Sequence, residues 1–71
     1  MTTSTGRKIS CKRKEMGKTQ MDFFFKLKGL GLKQSFATFV KWELGRSSPG
    51  ISELKILSEA LEVNVDYFFK D

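Results

Sequence analysis

Lys18-Thr19-Gln20-Met21-Asp22-Phe23-Phe24-Phe25-Lys26-Leu27-Lys28-Gly29-Leu30-Gly31-Leu32-Lys33-Gln34-Ser35-Phe36-Ala37-Thr38-Phe39-Val40-Lys41-Trp42-Glu43-Leu44-Gly45 is the stretch whose reading decides the fold. It holds two apolar-periodic runs separated by glycines, each of helical rather than strand length. Thr19 is placed to cap the first run, with Asp22 three residues on as in a capping box, and Phe23, Phe24 and Leu27 then form an inward face. In the second run, from about Gln34 to Leu44, Phe36, Phe39, Val40 and Glu43 share a face until Gly45 stops it. Upstream, Ile9, Arg13 and Met16 fall at i, i+4 and i+7 before Gly17, which predicts another helix. Downstream of Ser47-Ser48-Pro49-Gly50, the positions Ile51, Leu54, Leu57, Ser58 and Leu61 predict a fourth, begun by Gly50 or Ser52 with Glu53 in its first turn. Asn64 can cap a final turn holding Val65, Tyr67, Phe68 and Phe69. The expected class is all-α.

Composition narrows the function. Seventy-one residues, 39% of them hydrophobic, can form one small core but not the walls of a buried catalytic pocket. The chain has no His, one Cys and no carboxylate cluster, so general-base, metal and triad chemistry lack their usual parts. No enzyme, metal site or cofactor is expected. A lone Cys11 makes no internal disulfide, and its setting gives no reason for a reactive thiol. The N-terminal residues lack the apolar stretch of a signal peptide, and no apolar run reaches the roughly 18 residues of a membrane span. A cytoplasmic location without membrane contact is the expectation.

Thirteen Lys+Arg against eight Asp+Glu give a net charge of +5, unevenly placed. Residues 1–49 carry eleven of the basic residues against Glu15, Asp22 and Glu43, whereas residues 50–71 carry Lys55 and Lys70 against five acids. The two segments therefore net +8 and −3. Such polarity fits one face turned to a polyanion and the other end turned to protein or water.

Three spaced signatures resemble a known family: Ile9-x3-Arg13-x3-Gly17-x-Thr19-Gln20, then Lys41-Trp42-Glu43-x-Gly45-Arg46-Ser47-Ser48-Pro49, then Leu54-x2-Leu57-x2-Ala60-Leu61-x-Val63-x-Val65-x2-Phe68-Phe69. Their order and spacing, from about Ile9 to Phe69, resemble the phage repressor/Cro-type helix-turn-helix of the Xre family. The resemblance implies a five-helix DNA-binding domain over residues 7–69 after a flexible tail of residues 1–6. Its second helix would lie across the DNA backbone and its third in the major groove, usually in a dimer. It also implies that Arg13 and Glu43 form a partly buried ion pair between the first and third helices. The implied function is a sequence-specific double-stranded DNA-binding transcriptional regulator, repressor or Cro-like, acting by occupying an operator.

The chain departs from that pattern at the turn. Lys28 to Lys33 lie between the two motif helices, where three or four residues are usual, so the turn is lengthened. Phe24 falls where the family has a small residue. A bulky Phe24 would hold the helices apart, and a longer turn would accommodate the separation. Register depends on the anchor. From Trp42-Glu43 the base-facing positions are Phe36, Ala37 and Lys41, and from Leu30-Gly31-Leu32 they include Lys33, Gln34 and Ser35. Gln and Lys carry the groups that base edges need, and Ala can touch a thymine methyl. The assigned readers are Gln34, Ser35, Ala37 and Lys41. The competing reading makes Gln34 and Ser35 caps and Lys41 a solvated lysine. Thr19, Gln20, Lys33, Arg46 and Ser47 are assigned to the DNA backbone, where donors and charge suffice.

Tyr67 and Phe69 are expected at a homodimer interface, because Phe68 and Val65 suffice to close the domain. Phe25 is the one member of the Phe23-Phe24-Phe25 run expected at the surface. Leu30 and Leu32, expected to be exposed on the lengthened turn, suggest a protein partner. That surface supports the alternative function, a protein-interaction module such as an antitoxin or anti-repressor with weak or lost DNA reading.

Overall fold

A computed structural model describes residues 5–69 as a compact all-α domain with no strand among them. Its four α-helices are α1 (Thr5–Glu15), α2 (Gln20–Gly29), α3 (Phe36–Leu44) and α4 (Ile51–Leu61), followed by a 3-10 turn over Val65–Phe69. The radius of gyration, 10.9 Å, equals that of a well-packed chain of this length, about 11 Å.

The helix starts follow local chemistry. Thr19 Oγ1 accepts from the Asp22 amide at 3.1 Å, and Ser35 Oγ accepts from the Thr38 amide at 3.3 Å. Gly50 has no side chain to offer α4, so the Glu53 carboxylate reaches back to the Gly50 amide at 2.9 Å. Asn64 Oδ1 takes the Asp66 amide at 2.9 Å and opens the final turn, which winds as 3-10 rather than α.

The ends are equally specific. After α2 the Leu32 amide donates to Leu27 O at 3.0 Å and the Gly31 amide to Lys28 O at 3.1 Å, the paired bonds of a Schellman motif. Gly31 has φ +104°, a conformation that L side chains rarely adopt. The motif turns Leu32 back beneath Leu27, where it is 4% exposed. This corrects the expectation of an exposed Leu32; Leu30 does remain at the surface. The turn thus contributes a core side chain. The same two-bond ending closes α4, but there the left-handed residue is Glu62, with φ +59°.

The largest fully buried side chains, Ile9, Phe23, Leu27, Phe39, Leu57 and Leu61, come from all four helices. Phe24 is buried as well. Its ring meets Phe36 edge-on at 5.3 Å and lies 6.2 Å from Phe39, so it fills the space between α2 and the start of α3. The Lys28 ammonium sits 5.4 Å from the Phe24 ring centroid. Trp42 packs edge-on to Phe39 in the core, and Phe68 closes the domain from the 3-10 turn. Phe25 faces solvent, as expected.

Two features of α1 lay outside the sequence reading. The helix begins at Thr5, so Thr5 and Gly6 belong to it rather than to a tail; residues 1–4 of the expected tail lie outside the described residues. Gly6 packs on the α3 backbone so closely that a Cβ there would collide with the Trp42 carbonyl oxygen. Lys8 is buried, its ammonium donating to the Tyr67 carbonyl at 3.0 Å and lying 5.7 Å from the Tyr67 ring centroid.

Leu32→Ala is expected to cost about 2–5 kcal/mol, as for a buried leucine elsewhere, despite its place in a turn. Glu62→Gly is expected to add about 0.5–1 kcal/mol by relieving the left-handed Glu62 backbone. Urea unfolding midpoints measure both.

Candidate nucleic-acid interface

The candidate site is built around α3, and what holds α3 in place is an ion pair. Arg13 Nε donates to Glu43 Oε2 at 2.8 Å and Nη2 to Oε1 at 3.1 Å, with both side chains nearly excluded from solvent. Arg13 Nη1 also donates to Lys18 O at 2.8 Å, in the link between α1 and α2. Gln20, the first residue of α2, donates its amide to Glu43 Oε1 at 2.9 Å. One carboxylate and one guanidinium thereby tie α1, the start of α2 and the last turn of α3. No buried polar side-chain atom among the described residues lacks a partner, so the network is complete.

The residues assigned to base reading divide into two groups. Gln34 donates its amide to Glu53 Oε2 at 3.2 Å and is half-buried against the first turn of α4. Ser35 is the α3 cap, and its hydroxyl also lies 3.2 Å from that of Thr38. Both polar side chains hold a partner within the domain, Gln34 half-buried and Ser35 exposed. Ala37 and Lys41, one helical turn apart, are exposed on the face of α3 opposite Phe39 and Trp42.

The residues assigned to the DNA backbone lie at the ends of these helices. Thr19 and Gln20 stand at the start of α2, Lys33 just before α3, and Arg46 and Ser47 just after it. Thr19, Lys33, Arg46 and Ser47 are exposed, while Gln20 is half-buried because one of its amide hydrogens goes to Glu43. Lys33, Lys41 and Arg46 make no ion pair among the described residues, so three cations surround the outer face of α3. The acids near α3 are committed elsewhere: Glu43 to Arg13 and Glu53 to Gln34 and the α4 cap.

At the far end, the two expected dimer residues differ. Tyr67 is half-buried on the core, its carbonyl taken by Lys8, whereas Phe69 is 64% exposed. Cys11 is exposed on α1. Among the described residues there is no pocket, no group of three or more His, Cys, Asp or Glu that could hold a metal ion, and no helix long and apolar enough to cross a membrane. The chain matches no protein-family model, no curated protein and no solved structure.

Sequence reasoning missed the Gln20–Glu43 and Gln34–Glu53 bonds, which join residues 23 and 19 positions apart. No local signal in the sequence marks either bond.

Arg13→Met should cost about 3–5 kcal/mol, because Glu43 is left buried without its cation. Adding Glu43→Leu should recover most of that loss, since an apolar pair of similar volume removes the stranded charge. Thermal melts of the two variants check this, and a double variant no more stable than Arg13→Met would contradict it.

Proposed function

We propose that this domain is a sequence-specific double-stranded DNA-binding transcriptional regulator of the repressor/Cro type, with α2 and α3 as its helix-turn-helix. The observation that carries the reading is the rim of Lys33, Lys41 and Arg46 around the outer face of an anchored α3, with no ion pair among the described residues to neutralise it. A polyanion is the complement of such a rim, and an α-helix, about 10–12 Å across with its side chains, fits a major groove about 12 Å wide. Thr19, Gln20, Lys33, Arg46 and Ser47 grip phosphates at the edges of that groove, and Ala37 and Lys41 face the bases. Regulation follows from occupation of an operator that another protein would need. The resemblance of the three spaced sequence signatures to the Xre family supports the same reading. In it the protein works in the cytoplasm, needs no cofactor and catalyses nothing.

Binding as a homodimer belongs to the proposal. Phe69 is the exposed aromatic of the acidic C-terminal segment, and Tyr67, two residues earlier, has a partly covered ring. A twofold pair would present two α3 helices to successive turns of duplex, on half-sites about 10 base pairs apart.

A second reading, a protein-interaction module with weak DNA reading, draws on Met21 and Phe25, exposed one turn apart on α2, and on Leu44, exposed on α3. Leu30 can still belong to such a surface; Leu32 cannot, being in the core.

Affinity for duplex DNA against salt separates the two. A dimer neutralising four to six phosphates should give a log–log slope of about −4 to −5, and a slope near zero would remove the DNA reading. Arg46→Ala should weaken all duplexes alike, whereas Lys41→Ala should cost about 1–3 kcal/mol on a preferred site and little on random duplex. Phe69→Lys should leave a folded monomer that fills one half-site without cooperativity, as sedimentation and footprinting would register.

A further inference from the structure

The outer face of α3 is unusual for a surface that must read polar base edges. At 100° per residue, Ala37, Lys41 and Leu44 fall within about a 60° arc directed away from Phe39 and Trp42, and Val40 lies about 40° beyond it, at the border with the buried face. Ala37, Lys41 and Leu44 are exposed and Val40 is half-buried. Three of these four side chains are hydrocarbon. The two neutral polar side chains just before them already hold partners within the domain: Gln34 is bonded to Glu53, and the exposed Ser35 to Thr38 and its amide.

Resting on the duplex-binding reading above, we infer that α3 selects thymine-rich half-sites through the 5-methyl groups of thymine, with Lys41 as the one donor, directed to a guanine. The thymine methyl is the apolar group that the major-groove edge of a base pair offers; the other groups there are hydrogen-bond donors and acceptors. Hydrocarbon pressed against a cytosine amine or a guanine O6 would strip water from a polar group and return nothing, so Val40 and Leu44 discriminate against G·C pairs as well as favouring thymine. Lys41 supplies the exception, since an ammonium matches guanine O6 and N7. Lys33 before the helix and Arg46 after it add the charge that a duplex requires at the same face. The axial span from Ala37 to Leu44 is about 10 Å, which covers about three base steps. The contacted half-site is therefore three to four base pairs long.

The test has two stages. Selection from random duplexes is expected to enrich thymine-rich half-sites holding one guanine. The enriched duplex is then remade with deoxyuridine for thymine, which deletes the methyls and leaves every hydrogen-bonding edge intact. Affinity should fall about fourfold for each buried methyl, hence about tenfold or more over a half-site. Val40→Ser should shrink the thymine-to-uracil ratio, and Lys41→Ala should leave that ratio unchanged while losing the guanine. The ratio is taken within each variant, so partial unfolding cannot mimic the effect. Equal affinity for the thymine and uracil duplexes would overturn the inference and leave DNA binding standing. If no duplex binds even at low salt, the reading beneath it fails too, and the apolar face passes to a protein partner.

Discussion

The bidentate pair between Arg13 and Glu43 is the constraint on which the arrangement of helices depends. Burying two charges is costly, and here each nitrogen of the guanidinium and both oxygens of the carboxylate carry a hydrogen bond that offsets the cost. The guanidinium holds the carboxylate on one side and the Lys18 carbonyl on another, and the carboxylate takes the Gln20 amide in addition. Geometry this demanding tolerates little sliding. The link between α1 and α2, the first turn of α2 and the last turn of α3 must all stand at fixed separations, and Gly6 against the Trp42 carbonyl fixes α1 on α3 at closer range. A hydrophobic contact alone would hold these helices together without specifying their register.

Around that anchor, volume and turn chemistry act together. Phe24 occupies space between α2 and α3, ring against ring with Phe36 and Phe39, and this is room that closer helices would not leave. The chain spans the gap by ending α2 in a Schellman motif and dropping Leu32 into the core before Ser35 opens α3. Phe24 and the turn residue Leu32 thus both place buried side chains where the chain passes from α2 to α3. The consequence for the candidate site is a rigid approach to α3 rather than a swinging loop.

Much of this was legible in the sequence. The four helices were written in apolar spacing, and caps in Thr19, Asn64 and the Gly50/Glu53 start, because caps are local and act within three or four residues; Ser35, assigned to base reading, takes the capping place of the competing reading. Trp42 and Phe68 in the core, Phe25 at the surface and the Arg13 to Glu43 pairing also agree with their positions in the quoted signatures. What escaped was long-range or conformational. Nothing near Lys8 announces a carbonyl 59 positions away, and nothing near Gln34 announces Glu53. Leu32 beside two glycines read as a surface loop, because the left-handed step at Gly31 that turns it inward is a backbone property without a side-chain signature. Gly6 read as part of a tail because a glycine chosen for close approach looks the same as one chosen for flexibility.

The contact between Lys8 and the Tyr67 carbonyl has a further consequence, for how the molecule opens. It clasps the first helix to the last turn, so the two ends of the described chain share one hydrogen bond and one ring face although almost the whole sequence lies between them. The domain is in effect a closed loop with a buckle. Ends of small helical proteins ordinarily fray independently, each with its own low free energy of opening. Here neither can loosen without stripping the other of its partner, because an undocked turn strands a buried ammonium and an undocked helix uncovers Phe68. Amide exchange should therefore find the early residues of α1 and the Val65–Phe69 turn opening together as a single foldon, at opposite ends of the sequence and with one rate.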